Sequence, residues 1–144
     1  MIVCDTGPLL AIANKNDSEH AACLAALENA PGPLIVPALV VTEVCYMLGR
    51  LGPQAEAGFL PSLAAGELQV ESHTSADYTR IADLVVKYGS FPLGAADASV
   101  VAVAERLGVT RIATLDHRHF RQVVPTHCDV FELVPGEEVL ARRR

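Results

Sequence analysis

The chain has 144 residues, of which 51% are hydrophobic and 19% are charged, a composition typical of a globular protein and not of a disordered one. This length predicts a single domain over residues 1–144, with a frayed basic tail at residues 142–144. No apolar run approaches the roughly 20 residues of a membrane span, and no signal peptide follows Met1, so we expect a cytoplasmic protein. The four cysteines are too far apart for a disulfide or zinc framework.

The formal net charge of −6 argues at first against a nucleic-acid partner, but the charge is unevenly distributed. Residues 1–75 hold two basic and eight acidic side chains, whereas residues 76–144 hold nine of each. If four of the acids bind metal ions, the remaining charge is close to balanced. An acidic composition therefore does not exclude a substrate that carries phosphates.

Short apolar segments alternate with amphipathic segments along the chain. Strands are predicted at residues 2–5, 34–36, 68–72, 111–116 and 130–134. Helices are predicted at residues 8–13, 18–30, 38–51, 53–65, 76–88 and 93–107, and a short irregular or helical piece at residues 117–125. The expected helix caps are Asn16 or Asp17 for the second helix and Thr74 or Ser75 for the fifth. This alternation predicts an α/β fold with a parallel sheet covered on both faces.

Two acids lie on helix faces that are otherwise apolar. On a helix, the same-face neighbours of Asp97 are Leu93, Gly94, Val100 and Val101. The corresponding neighbours of Glu43 are Leu39, Val40, Tyr46 and Met47. We therefore expect Asp97 to face the interior, where an unpaired charge is unfavourable, and Glu43 to be held against apolar surface.

Two further acids close predicted strands, Asp5 after Ile2-Val3-Cys4 and Asp116 after the strand at residues 111–116. Ligands of open parallel sheets bind beyond the carboxyl ends of the strands, so both carboxylates are expected at that edge. Four converging carboxylates cannot all be ionised without a counter-charge. Mg²⁺ or Mn²⁺ supplies one, because hard divalent cations prefer carboxylate oxygens.

Such a site has a defined chemistry. One ion lowers the pKa of a water molecule, and a second ion, about 3.5–4 Å away, stabilises the leaving oxygen of a phosphoryl displacement. The chemistry needs no Ser/His/Asp set, and the chain has no Walker-type phosphate loop.

Several other interpretations of the acids remain open. A buried arginine could neutralise Glu43 or Asp97, but Lys15 and Arg50 are the only basic residues before Arg80. A phosphoacceptor receiver also gathers acids and Mg²⁺, yet it needs a lysine at the end of a late strand, which this chain lacks there. A haloacid-dehalogenase-like phosphatase needs a second acid two residues after Asp5, and that position is Gly7.

The four acids stand in short motifs whose order carries a family resemblance. The motifs are Asp5-Thr6, Thr42-Glu43-Val44, Ala96-Asp97-Ala98, and Thr114-Leu115-Asp116 followed by His119-Phe120. From Met1 to Val134 the sequence resembles the PIN-domain ribonucleases, and more narrowly the VapC-type toxins of bacterial and archaeal toxin–antitoxin pairs. No single motif is specific, but the ordered set is.

The resemblance implies a PIN-like three-layer α/β/α fold with about five parallel strands, generally in a homodimer. It implies an endoribonuclease dependent on Mg²⁺ or Mn²⁺ that cleaves structured RNA, such as transfer or ribosomal RNA, and thereby inhibits translation. It also implies a cognate antitoxin that often presents a basic side chain to the acidic pocket. A PIN fold kept as a non-catalytic binding module, or used in general RNA processing, is the alternative.

By the same resemblance, the metal ligands and catalytic residues are Asp5, Glu43, Asp97 and Asp116. Hydroxyl groups of Thr6 and Thr114 are expected near the metals. Many relatives carry Ser or Asn where this chain has Gly7, so a hydrogen bond that supports the site is missing here.

Cationic and histidine side chains near the acids are candidate RNA contacts. Arg118 and Arg121 follow Asp116 and are expected to hold phosphates, and weaker candidates are Arg111 and Lys87. His117 and His119 are candidates for RNA contact or proton transfer, and His20 for the mouth of the pocket.

Overall fold

A sheet of five parallel strands forms the centre of the computed structural model, which describes residues 1–141. The strand order is β3-β2-β1-β4-β5. The strands are β1 (Ile2–Cys4), β2 (Leu34–Pro37), β3 (Gln69–Glu71), β4 (Arg111–Ala113) and β5 (Glu132–Val134). Residues 142–144, predicted as a frayed tail, lie outside the described residues.

Helices flank the sheet within the same residues. They are α1 (Thr6–Ala13), α2 (His20–Glu28), α3 (Ala38–Gly49), α4 (Pro53–Ala64), α5 (Ser75–Lys87), α6 (Ala95–Leu107), α7 (His117–Gln122) and α8 (Glu137–Ala141). In the described part of the chain, none of them combines the length and the apolar character needed to cross a bilayer.

Strand β1 lies between β2 and β4. Val3 is paired with Ile35 on one side and with Ile112 on the other, and all three side chains are buried. Strands that are apolar on both faces are what a parallel sheet between two helical layers requires. The predicted three-layer α/β/α fold is therefore confirmed, and β1 is its central strand.

Helix α6 is the most deeply buried helix of the described chain. All seven residues from 98 to 104 are buried, and the helix contacts β1, β2, α3 and α5. Because this packing fixes the helix against the sheet, it also fixes the position of Asp97 in its first turn.

A hydrogen-bond network ties α6 to β3 and α5. Arg106 donates from Nε to Asp77 at 3.0 Å, from one terminal nitrogen to Glu71 at 2.9 Å, and from the other to the Ser72 carbonyl at 3.1 Å. Burial raises the pKa of Asp77, but hydrogen bonds from Arg106 and Thr74 outweigh that effect and leave the pKa below its usual value. Thr74 caps α5 in a capping box with Asp77, which confirms the predicted cap.

Several element boundaries differ from prediction near the acids. β4 ends at Ala113 and not at Asp116, because a turn follows in which the Asp116 N–H donates to the Thr114 hydroxyl at 2.9 Å. Asp116 therefore caps α7, and the undecided segment after it is helical. Helix α6 begins at Ala95 and not at residue 93, because Gly94 has an extended backbone at φ −74° and ψ 170°.

The helices of the first third also differ at their starts. Helix α1 begins at Thr6, two residues earlier than predicted. Helix α2 begins at His20 with Glu19 at the cap position, so the predicted caps Asn16 and Asp17 are wrong. Asp17 instead accepts a hydrogen bond from the Glu19 N–H at 2.8 Å, which forms a turn before the helix.

Candidate active site

The four acidic side chains singled out in the sequence line one pocket at the carboxyl edge of the sheet. Asp5 directly follows β1, and Asp116 follows β4 after a two-residue turn. Glu43 lies in the middle of α3, and Asp97 lies in the first turn of α6. Parallel strands end at the same edge, so the fold brings together acids that are far apart in sequence.

The pocket is an open cavity of about 410 Å³. Its lining consists of Asp5, Thr6, Gly7, Leu10, Glu43, Met47, Asp97, Leu115 and Asp116. Leu10, Met47 and Leu115 supply apolar surface next to the carboxylates. Charges in such surroundings interact more strongly than charges in water.

Asp5 is the most deeply buried of the four acids, with 4% of the residue exposed. Its Oδ2 accepts a hydrogen bond from the Thr114 hydroxyl at 2.8 Å, while Oδ1 is buried without a partner among residues 1–141. Burial, followed by the negative charge of Asp97, raises the pKa of Asp5 to about 7, although the nearby Thr6 backbone N–H and the Thr114 hydroxyl act in the opposite direction. This carboxyl group would ionise more readily beside a cation.

Thr114 connects two of the acids. Its buried hydroxyl donates to Asp5 and accepts from the Asp116 backbone N–H, so one side chain orients both residues. The Thr6 hydroxyl also belongs to a pocket-lining residue, and within the described chain it is buried without a partner. Both predicted threonines therefore lie at the acids.

Asp97 is half-buried and lines the pocket, so it is turned inward but lies less deep than its apolar neighbours predicted. The reason is the start of α6, which leaves Asp97 in the first turn, where Leu93 and Gly94 precede the helix. Burial, then the charges of Glu43 and Asp116, raise the pKa of Asp97. A backbone hydrogen bond from Gly94 and the charge of His119 lower it by less.

Glu43 is also half-buried, and its surroundings are less apolar than predicted. Tyr46 and Met47 were expected to cover it, but 69% of Tyr46 and 40% of Met47 are exposed. Val40 is fully buried and Leu39 partly buried, so only the N-terminal side of Glu43 packs against the core. Glu43 thus lines the pocket with less apolar cover than its helical spacing predicted.

Asp116 is paired with a histidine. The His119 Nδ1 lies 2.7 Å from one carboxylate oxygen of Asp116 and 2.8 Å from the other, and the His119 N–H donates to the same carboxylate. The His119 ring packs against Phe91 at a tilt of 44°, with 4.4 Å between ring centroids. The Arg118 guanidinium carbon lies 5.6 Å from the centroid of Phe91. These three side chains form one cluster beside Asp116.

The chemistry of the four acids suits a divalent cation, although their present spacing is too wide to hold one. Within residues 1–141, neither lysine nor arginine forms an ion pair with any of the four carboxylates, so the buried-arginine alternative is not observed. No three His, Cys, Asp or Glu side chains in this part of the chain are drawn together closely enough to hold a metal ion as they stand. The partnerless Oδ1 of Asp5 and the raised pKa values nevertheless describe a group of acids that a cation would draw together.

The other predicted side chains lie outside the pocket lining. Arg121 is bound to Glu137 of α8 with an N–O distance of 2.8 Å, whereas Arg118 makes no ion pair with a described residue. His117 is buried, and neither of its ring nitrogens has a partner among residues 1–141. Arg118 is therefore the better placed of the two predicted phosphate-binding arginines.

The weaker candidates for contact with RNA make contacts with other parts of the protein. Arg111 pairs with Glu132 at 3.1 Å, and the His20 ring nitrogen lies 2.8 Å from the Ala11 carbonyl. Lys87 lies over the ring of Tyr88, 5.5 Å from its centroid.

Phe91 was not predicted to lie near the site. It belongs to the loop between α5 and α6, and no spacing or motif in that loop marks it. Its position beside His119 depends on how the loop meets α7, which only the tertiary structure reveals.

The sequence of this chain resembles those of known proteins. The family model for the PIN domain matches residues 2–124. Over 135 residues the chain is 33% identical to ribonuclease VapC26 of Mycobacterium tuberculosis, an alignment that covers 93% of this chain and 100% of the relative.

Two solved structures resemble the fold. One is Mycobacterium tuberculosis VapC20, described as a sarcin-ricin loop cleaving toxin, with a TM-score of 0.72 and 20% identity over 78% of this chain and 87% of that chain. The other is FitAB bound to a DNA fragment, with a TM-score of 0.58 and 20% identity over 81% of this chain and 85% of that chain. At this identity the likeness establishes the fold alone. The family match and the alignment with VapC26 together show that the chain belongs to the PIN-domain family, among its VapC-type ribonucleases.

Proposed function

We propose that the protein is an endoribonuclease that depends on Mg²⁺ or Mn²⁺. The residues that would hold the metal, and on which cleavage would depend, are Asp5, Glu43, Asp97 and Asp116. The observation that carries the proposal is their common pocket, in which burial and mutual repulsion raise the pKa of Asp5 and of Asp97. Carboxylates in this state favour a hard divalent cation as the neutralising group.

Bound there, two such ions would lower the pKa of a water molecule and stabilise the leaving oxygen of an in-line displacement at phosphorus. The side chains around the acids would orient the carboxylates and lower the polarity of their surroundings. Thr114 orients Asp5 and the Asp116 backbone together, and His119 contacts the Asp116 carboxylate. Leu10 and Leu115 supply apolar surface beside the carboxylates, which strengthens electrostatic interactions.

Structured RNA, such as transfer or ribosomal RNA, is the proposed substrate, and the protein would act on it as the toxin of a toxin–antitoxin pair. Support comes from the relative named ribonuclease VapC26 and from the structural relative described as a toxin that cleaves the sarcin-ricin loop. We further propose a homodimer in the cytoplasm and a cognate antitoxin that inserts a basic side chain among the acids. The pocket suits such a side chain, because none of its described carboxylates is paired with lysine or arginine.

We also propose that the whole chain acts as one nuclease domain. The family match ends at residue 124, but β5 extends the same sheet by pairing with β4, and Arg121 of α7 pairs with Glu137 of α8. Residues 125–141 are therefore continuous with the fold that carries the acids.

Incubation of the purified protein with total cellular RNA, with and without Mn²⁺, tests the proposal. We expect discrete fragments only when Mn²⁺ is present, and mapping of their ends would identify the RNA and the bond. The Asp97→Asn variant serves as the control for contaminating nuclease. Equal fragmentation by this variant, or an absence of fragmentation with Mn²⁺, would contradict the proposal.

A further inference from the structure

Arginines within residues 1–141 fall into two groups according to their carboxylate partners. Four of the six are engaged, in the pairs Arg80–Glu105, Arg106–Asp77, Arg111–Glu132 and Arg121–Glu137. The other two, Arg50 and Arg118, form no ion pair with any described carboxylate. A phosphate does not have to displace a carboxylate at these two positions, so they are available for a polyanion. Both of them lie next to the acidic pocket.

Arg118 lies on the Asp116 side of the pocket. It is in the first turn of α7, two residues after Asp116, and its guanidinium lies over the Phe91 ring at 5.6 Å. Phe91 in turn packs against the ring of His119, which contacts Asp116. The exposed cation is thus held near the acids by an aromatic ring and not by an anion.

Arg50 lies on the Glu43 side. It directly follows α3, and Glu43, Met47 and Arg50 are spaced at i, i+4 and i+7, which places them on one stripe of the helix surface. About 10 Å of helix rise separates Glu43 from Arg50. Arg50 also lines a second cavity, which shares Leu10 and Met47 with the acidic pocket. The two cavities therefore adjoin each other between α1 and α3, and together they are called the α1–α3 groove below.

The two arginines belong to opposite flanks of the site. Helix α3 follows β2, α7 follows β4, and these strands lie on either side of β1, which leads to Asp5. We propose that Arg50 and Arg118 bind the backbone phosphates on the two sides of the bond that is cut. The RNA strand then crosses the acids from α7 to the far end of the α1–α3 groove.

This inference rests on the proposed nuclease function and adds to it the path of the substrate. The acids repel phosphates, so an acidic chain needs local cations to bring a polyanion to this pocket. Contacts to phosphates fix the register of the RNA strand but do not distinguish one base from another. Loss of either arginine therefore weakens the binding of RNA of any sequence.

The test compares Arg50→Ala, Arg118→Ala and the double variant with Arg111→Ala. The Arg111→Ala substitution removes the same charge, but Arg111 lies at the amino end of β4, away from the acids. The probe is a labelled single-stranded oligoribonucleotide of mixed sequence, and its affinity is measured over a series of salt concentrations in EDTA. The slope of log affinity against log salt falls in magnitude by about 0.7 for each phosphate contact that is lost.

Arg50→Ala and Arg118→Ala are each expected to lower the magnitude of the slope by about 0.7, and the double variant by about 1.4, whereas Arg111→Ala keeps the wild-type slope. Melting temperatures confirm that the exposed substitutions leave the fold intact. An unchanged slope for Arg50→Ala overturns the path along α3, and an unchanged slope for Arg118→Ala overturns the contact on α7. Wild-type cleavage of cellular RNA with Mn²⁺ is measured in parallel. Cleavage with unchanged slopes refutes the path alone, whereas absence of cleavage refutes the nuclease function.

Discussion

Asp5 and Asp97 hold carboxyl groups that resist ionisation, because each is removed from water and lies near other acids. Proteins usually compensate such groups with a buried lysine or arginine, and neither occurs here among residues 1–141. Protons and metal ions are then the remaining neutralising species, and they compete for the same oxygens. Two predictions at the residue scale follow from this competition.

The first prediction concerns the stability of the metal-free protein against pH. The pKa of Asp5 is raised to about 7 in the folded state. The stability that the protonated carboxyl contributes is therefore complete at pH values below the pKa of Asp5 in the unfolded chain, and it is lost as pH rises through 7. The melting temperature in EDTA should therefore fall by several degrees between about pH 5 and pH 8. Asp5→Asn, which cannot ionise, should flatten this profile. An equally steep profile in the variant would show that Asp5 is not the source.

The second prediction concerns Asp97→Asn. The substitution should abolish metal-dependent RNA cleavage while leaving the melting temperature unchanged or higher, because it removes one of the repelling carboxylates. Cleavage assays with Mn²⁺ and thermal melts of the same preparation measure both effects. Full activity in the folded variant would remove Asp97 from the catalytic set.

Sequence patterns predicted which acids share a pocket better than they predicted how deeply each acid is buried. The apolar neighbours of Asp97 correctly indicated an unusual carboxylate, but its depth depends on where α6 begins, and Gly94 shifts that point. Tyr46 and Met47 occupy the correct helical spacing around Glu43, yet both are exposed, because spacing does not reveal which helix faces lack a neighbour. The pairing of Arg121 depends on α8, which was not predicted.

At the scale of elements, α6 has a role at each end. Its first turn carries Asp97 into the pocket, and its last turn carries Arg106 into the network with Asp77 and Glu71. This network joins α6 to α5 and to the edge strand β3. The position of α6 along the sheet, and with it the position of Asp97, is therefore fixed in part by contacts at the far end of the helix.

Arg106→Ala should destabilise the protein by about 2–4 kcal/mol, because it leaves the buried Asp77 carboxylate without its main partner. Arg111→Ala is the matched control, since it breaks a more exposed arginine–carboxylate pair with Glu132 and should cost about 0–1 kcal/mol. Denaturant unfolding of both variants measures the difference. Equal losses in the two variants would mean that the Arg106 network does not hold α6 in place.

Element boundaries were predictable where local chemistry decides them. Thr74 with Asp77 three residues later is a capping box, and α5 begins where that signal predicts. The end of β4 was not predictable, because it depends on a hydrogen bond from the Asp116 N–H to Thr114 that competes with continued strand. Helix α8 spans only five residues, too short for a hydrophobic period to reveal.

At the scale of the whole molecule, the parallel sheet was predictable because each buried strand is an apolar run between amphipathic segments. Asp5 and Asp116 could be assigned to one edge from that alternation alone, since parallel strands share a carboxyl end. Glu43 and Asp97 reach the same pocket through helix packing, which that alternation does not determine. Their convergence was expected from the apolar helix faces that carry them and from the ordered motifs.

The charge distribution of the molecule also follows from this arrangement. The chain is acidic, and four of its acids gather in one open pocket. Most arginines within residues 1–141 stabilise contacts between elements, which leaves Arg50 and Arg118 available beside the pocket. A net charge of −6 is thus compatible with a site that binds cations first and a polyanion second.

Calorimetric titration of Mn²⁺ into the metal-free protein at neutral pH tests the central claim most directly, because it requires neither the substrate nor the partner. The wild-type protein is expected to bind Mn²⁺ with release of protons, since the pKa of Asp5 is about 7. Asp97→Asn should bind at least about tenfold more weakly, while Asp129→Asn, which removes an exposed acid outside the pocket, should bind as the wild type does. Equal affinity in the wild type and Asp97→Asn, or no binding at millimolar Mn²⁺, would contradict the account.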